Sequence, residues 1–195
     1  RFNGGNNAGH TIVVGERKYK LHLLPSGVVR GKRGLIGAGV ALDPRVLNQE
    51  LESFSLSGVD LTPELLGIDF RTQIILPWHA EREGATGKAI GTTGRGIGPC
   101  YEDRAARSGI QFRELCSPKE FKKRVLELNN GKQPAFLEEY LLLGEKLRDF
   151  ECDVVSELHE AKAVGKKILF EGAQGAMLDN DFGTYPFVTS SHPIA

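Results

Sequence analysis

The chain has 195 residues, 40% hydrophobic and 26% charged, enough apolar material for one globular domain with its own core. Lys plus Arg and Asp plus Glu each total 25, which argues against wholesale attraction to nucleic acid or to an anionic membrane and leaves any anion site to local residues. No apolar run approaches the roughly 20 residues that span a bilayer, no basic-then-apolar leader opens the chain, and Cys100, Cys116 and Cys152 lack metal-ligand spacing; reduced thiols in a cytoplasmic protein are expected.

In chain order, residues 11–14 and 18–24 flank a Gly15-Glu16 turn signal and read as a β-hairpin closed by Pro25-Ser26-Gly27. Residues 36–42 read as a short glycine-containing strand. Asp43 and Pro44 then supply an N-cap and a first helical position, and Leu47, Leu51 and Phe54 mark the buried face of a helix that Gly58 stops. Residues 68–76 read as a buried strand. Helical periodicity covers 118–130 and 135–163, broken at Asn129-Asn130-Gly131, and KILF at 167–170 reads as a hydrophobic strand. Strands alternating with helices, with glycine-rich polar segments at strand ends, predict an α/β fold with ligands at the carboxyl edge of its sheet.

Three segments carry chemistry. Residues 91–107 (GTTGRGIGPCYEDRAAR) combine close-approach glycines, the hydroxyls of Thr92 and Thr93 and the charges of Arg95, Arg104 and Arg107 in a turn entering a helix, an arrangement suited to phosphate; taken alone, the same composition also suits a plain glycine-rich loop. Residues 1–11 (RFNGGNNAGHT) place amides and His10 among glycines, and an imidazole there can donate to a phosphoryl oxygen or act as a general acid. In EGAQG at 171–175, Gln174 can donate and accept together, which suits the edge of a purine or amide ring better than a phosphate, although taken alone the segment reads as a loop closed by a glutamine. Asp179 and Asp181 suit turn caps better than a cation site, the hydroxyls of Thr184, Thr189, Ser190 and Ser191 can reach a phosphate, and Cys100 suits a small buried filler. GxxxxGK[ST], HExxH, CxxC and GxSxG do not occur in these residues.

Taken together, RFNGGNNAGHT, LHLLPSG at 21–27, IGTTGRGIGPCYEDRAARSG at 90–109 and FEGAQGAMLDNDFGTYPFVTSSHP at 170–193 resemble the adenylosuccinate synthetase family in order and roughly in spacing. The resemblance implies a P-loop NTPase-like α/β sheet flanked by helices, with a helical insertion, incomplete in a chain read as a partial single domain over 1–195, truncated at both ends. It implies a homodimeric, magnesium-dependent ligase of purine biosynthesis that joins IMP and L-aspartate at the expense of GTP, by way of 6-phosphoryl-IMP, and it implies that this fragment alone is inactive.

Position by position, the resemblance makes His10 and Gln174 the catalytic candidates, His10 as general acid at the phosphoryl transfer and Gln174 near the purine 6-oxygen. Asn7, Ala8, Gly9, His10, Thr93, Arg107, Gln174 and Thr189 fall in the IMP site, with Asn7, Thr93 and Thr189 on the 5′-phosphate and Arg107 reaching the neighbouring subunit's IMP. Gly9, His10 and Thr11 fall on the GTP side, and the Gly9 carbonyl is a magnesium ligand. The alternative is a non-catalytic purine nucleotide-binding or dimerisation module; neither reading calls for nucleic acid or a membrane.

Overall fold

A computed structural model describes residues 1–86 and 91–194. The predicted hairpin is present as β1 (His10–Val14) and β2 (Arg17–Leu21), antiparallel with Val14 opposite Arg17. Each of the next two predicted strands is divided. Residues 36–42 separate into the end of β3 (Gly34–Ile36) and β4 (Ala41–Leu42), and residues 68–76 into the end of β5 (Leu66–Asp69) and β6 (Gln73–Ile74). Both pairs are parallel, with Ile36 opposite Ile68 and Ala41 opposite Gln73, so the same offset holds on both sides of the interruption. The ladder opens because another segment enters it. Gly37 donates its N–H to the Arg1 carbonyl at 2.9 Å, Gly4 bridges Val40, and a Cβ at Gly39 would stand 2.1 Å from the Phe2 carbonyl oxygen, so only glycine admits that crossing.

α1 (Pro44–Leu56) starts as its sequence predicts. Asp43 accepts the Arg45 N–H at 3.0 Å, Pro44 opens the helix, and Leu47 and Phe54 are buried. The buried carboxylate of Glu50, on the same helix, accepts the backbone N–H groups of His22, Leu23 and Leu24 and so fixes the stretch after β2. Two further helices, α2 (Pro77–Thr86) and α3 (Ile97–Ala106), flank the glycine-rich segment. The short α4 (Phe112–Leu115) is followed by α5 (Pro118–Leu128) and α6 (Leu137–Leu147), which cover the core; the rings of Phe121 and Tyr140 stack, and the Tyr140 hydroxyl donates to the Ile75 carbonyl at 3.1 Å.

The helix predicted over 135–163 is interrupted. After α6 the chain forms a 3-10 turn, Arg148–Phe150, then β7 (Glu151–Cys152), which joins β5 in parallel to make the sheet order β3-β5-β7, and then α7 (Val154–Ala163). A charge network forces the break: buried Asp69 is held two-pronged by Arg71, which also bridges to Asp153, and Asp153 accepts the Val155 and Ser156 N–H groups as the N-cap of α7. The predicted strand at 167–170 is absent. That segment is irregular and exposed, Leu169 at 86% and Phe170 at 63%; its neighbour Glu171 receives one backbone bond, from Phe2 N–H at 3.1 Å, and among the described residues no ladder forms beside it. The architecture is mixed α/β, with parallel strands flanked by helices. No helix among the described residues is long and apolar enough to cross a membrane.

Candidate functional site

The segment before β1 and the segment after residue 170 meet. Gln174 donates from Nε2 to the Asn7 Oδ1 at 3.0 Å, and it does so from a left-handed backbone, φ 63°, which a glutamine adopts only where surrounding contacts hold it. Asn3 supplies much of that hold: its Oδ1 accepts the Ala173 N–H at 2.9 Å, and its Nδ2 donates to the His192 carbonyl at 3.2 Å, so one buried amide ties down both loops of the C-terminal segment. Arg1, also buried, donates to the carbonyls of Gly5 and His22 and latches the asparagine-rich loop from the other side.

Ala8, Gly9, His10, Ser26, Glu171 and Gln174 are among the residues that line a cavity of about 310 Å³. Glu171 is fixed by the backbone N–H and hydroxyl of Ser26. Burial pulls the His10 imidazole below its ordinary pKa, opposed by the carboxylate of Glu171, so the ring is neutral near pH 7. His10 Nε2 and Gln174 Oε1 are buried without a partner among the described residues, as is Asn6 Oδ1. Unpaired buried polar atoms are costly in a folded chain, and two of these three belong to residues that line the cavity. A ligand offering both a donor and an acceptor would satisfy them.

The glycine-rich segment approaches from α3. The Arg95 guanidinium donates to the Asn6 carbonyl, the Tyr101 hydroxyl lies 2.7 Å from the Gly39 carbonyl and 3.3 Å from that of Gly4, and Gly98 faces the Ser190 hydroxyl. Thr93 is exposed on the loop ahead of α3, Thr189 is half-buried with its N–H on the Leu178 carbonyl, and Thr11 is exposed in β1. Arg107 is exposed at the C-cap of α3, φ 62°. Thus Asn7, Ala8, Gly9, His10 and Gln174 come together directly, whereas Thr93, Thr189 and Arg107 are not among the residues that line the cavity. Ile90, where the third resembling segment begins, lies outside the described residues.

Cys100 is a buried filler, its thiol pushed up to about 12 by desolvation. Asp179 is likewise structural: it accepts the N–H groups of Asp181, Phe182 and Ile194. With Asp181 and His192 it forms a trio whose ligand atoms all lie within 4.8 Å of one another, but that trio offers a nitrogen and a carboxylate already taken by three backbone donors, a poor match to the all-oxygen preference of magnesium. Glu171, Ser26 and Asn3 escaped the sequence reading. Only the place of Glu171 at the head of EGAQG could have marked it.

The sequence profile of the adenylosuccinate synthetase family matches residues 1–195. The chain is 47% identical to the adenylosuccinate synthetases of Nitratidesulfovibrio vulgaris (strain DP4) and Clostridium acetobutylicum, over 216 and 214 residues, covering all of this chain and 51% and 50% of those proteins. It therefore spans about half the length of the curated relatives it matches. Its fold superposes on the fully ligated adenylosuccinate synthetase of Plasmodium falciparum with a TM-score of 0.84 at 37% identity, covering 100% of this chain and 49% of that one. A succinoaminodeoxyadenylate synthetase of cyanophage S-2L shares the fold, with a TM-score of 0.67 at 21% identity, covering 98% of this chain and 49% of that one.

Proposed function

Because the chain belongs to the adenylosuccinate synthetase family, we propose that it supplies the IMP-facing part of a ligase that joins IMP to L-aspartate with hydrolysis of GTP. The observation that carries this reading is the Asn7–Gln174 hydrogen bond beside the unpartnered Gln174 Oε1 and His10 Nε2. The 6-oxo group of IMP leaves poorly, and transfer of the GTP γ-phosphoryl group to it creates a leaving group that the aspartate amine displaces as phosphate. Gln174 reads the purine edge near the 6-oxygen, with Asn7 fixing the direction of its amide. His10, half-buried and kept neutral by desolvation, donates a hydrogen bond to the transferring phosphoryl group, where stabilisation of developing charge carries most of the rate. Ala8 and Gly9 line the same nucleotide pocket, Gly9 and Thr11 lie on the GTP side of His10, and Thr93 and Thr189 serve the 5′-phosphate. Arg107 extends to the IMP of a second copy in a cytoplasmic homodimer.

Gly9 and Glu171 line one cavity, and a backbone carbonyl and a carboxylate are oxygen donors of the kind that would suit Mg²⁺. When bound there, the ion supplies positive charge to the transferring phosphoryl group. Titration calorimetry with IMP tests the reading: saturable binding is expected, and Gln174→Ala weakens it by about tenfold through loss of a buried polar contact. A chain that gives no binding heat with IMP at millimolar concentration contradicts it.

A further inference from the structure

At the N-terminus of α3, where a helix ordinarily offers N–H groups to an anion, the N–H of the cap residue is taken by a carboxylate of the protein itself. Glu83, on α2, is only 5% exposed, and its carboxylate accepts the backbone N–H of Gly96, the residue that caps α3. Gly96 is also gripped sterically. Its φ is 77°, and a Cβ there would stand 2.7 Å from His79 Cβ and 2.8 Å from the Ala80 backbone nitrogen, so the first turn of α2 presses against the turn into α3. Further along, His79 Nε2 sits 3.0 Å from Asp103 Oδ2, and Arg82 reaches both Asp103 and Glu102 at 2.7 Å. The two helices are thus pinned at two levels, while residues 91–95, including Thr93, stand exposed ahead of the pinned turn.

This arrangement changes where a phosphate can bind. The Gly96 N–H is spoken for, and a carboxylate at that end offsets the partial positive charge, about half an elementary charge, that a helix presents there. Both effects weaken the helix end as an anion site and favour the hydroxyls and amides of the loop ahead of Gly96 for a phosphate monoester. We infer that Glu83 is a positioning residue for phosphate recognition: it fixes the Gly96 turn so that the Thr93 loop is held ready, and it directs the ligand's phosphate onto that loop. The inference rests on the proposed IMP-phosphate role of Thr93.

Glu83→Gln and Glu83→Ala test it, each read by hydrogen exchange over residues 91–98 without ligand and by IMP titration. Glutamine keeps an accepting oxygen, so exchange at Gly96 stays slow and IMP affinity stays within about threefold of the parent chain. Alanine removes the acceptor, so exchange there speeds by about tenfold or more and IMP binding weakens by about tenfold. Unchanged exchange in Glu83→Ala, loss in Glu83→Gln equal to that in Glu83→Ala, or full IMP affinity in Glu83→Ala each overturns the inference. If the parent chain does not bind IMP, the nucleotide reading fails by itself, and the exchange of Gly96 still decides whether Glu83 fixes the loop. If the parent binds IMP and only the variant predictions fail, the nucleotide reading stands without Glu83.

Discussion

Gln174 and Arg107 are two of three non-glycine residues with positive φ among those described, the third being Asn130 in a turn. A side chain in that region costs about 1 kcal/mol relative to glycine. At the C-cap of α3 the backbone therefore favours glycine, and Arg107→Gly should raise the melting temperature by up to about 2–4 °C while abolishing any reach to a second copy's nucleotide; a lower melting temperature would show that the guanidinium has a structural partner. His79 makes a pH-dependent contribution. It is 1% exposed, its Nδ1 accepts the Leu76 N–H at 3.0 Å, and burial lowers its pKa below the ordinary value despite Asp103. A depressed folded pKa means that the contribution is complete above the unfolded value of about 6.5 and is lost as pH falls below it toward the folded pKa. Urea unfolding at pH 7.5 and 5.5 should show that acid loss in the parent and a shallower one in His79→Asn; equal slopes would remove His79 from the account. That His10, Asn7 and Gln174 lie together was legible in the sequence through the glycine-rich motifs that carry them, whose order and content resemble those of one family. Glu83 and Asn3 were not, since each acquires its meaning from a backbone group 13 or 170 residues away.

Among the elements, the clearest sequence signals were local ones. Asp43 followed by Pro44 named the start of α1, and Asp43→Ala should cost about 1 kcal/mol in urea unfolding, with Asp43→Asn recovering most of it; no loss in the alanine variant would mean that Pro44 alone starts the helix. Where a boundary depends on a distant partner, periodicity misleads. Residues 135–163 keep a helical pattern across Arg148, Asp149 and Phe150, yet β7 pairs with β5 and Asp153 answers to Arg71, 82 residues earlier. The strand at 167–170 failed for the complementary reason: its composition suits a sheet interior, and a hydrophobic run becomes a strand only when another strand lies beside it.

At the scale of the molecule, the apolar surface is uneven. Leu169, Phe170, Met177, Phe182, Tyr185 and Phe187 are each at least 60% exposed within the C-terminal segment, whereas the core residues of α1, α5 and α6 are sealed. The α/β class was legible because alternation of strand-like and helix-like segments survives errors in their ends, and the interruption of the central ladder was not, because it is made by residues 1–4 arriving from outside the local sequence. That interruption has a consequence for cooperativity. The pairs β3/β5 and β4/β6 share one offset along the same two stretches of chain, so neither short ladder can slip by a residue unless the other slips with it, and a slip would turn Ile36, Ile68, Leu42 and Ile74 out of the core together. Two ladders too short to hold their alignment singly act as one register lock. Native-state exchange should accordingly release the amide of Ile36 in β3 and that of Ile75, which donates to the Leu42 carbonyl of β4, at a single opening free energy, and staggered release would mean that the inserted N-terminal segment divides the sheet into independent parts.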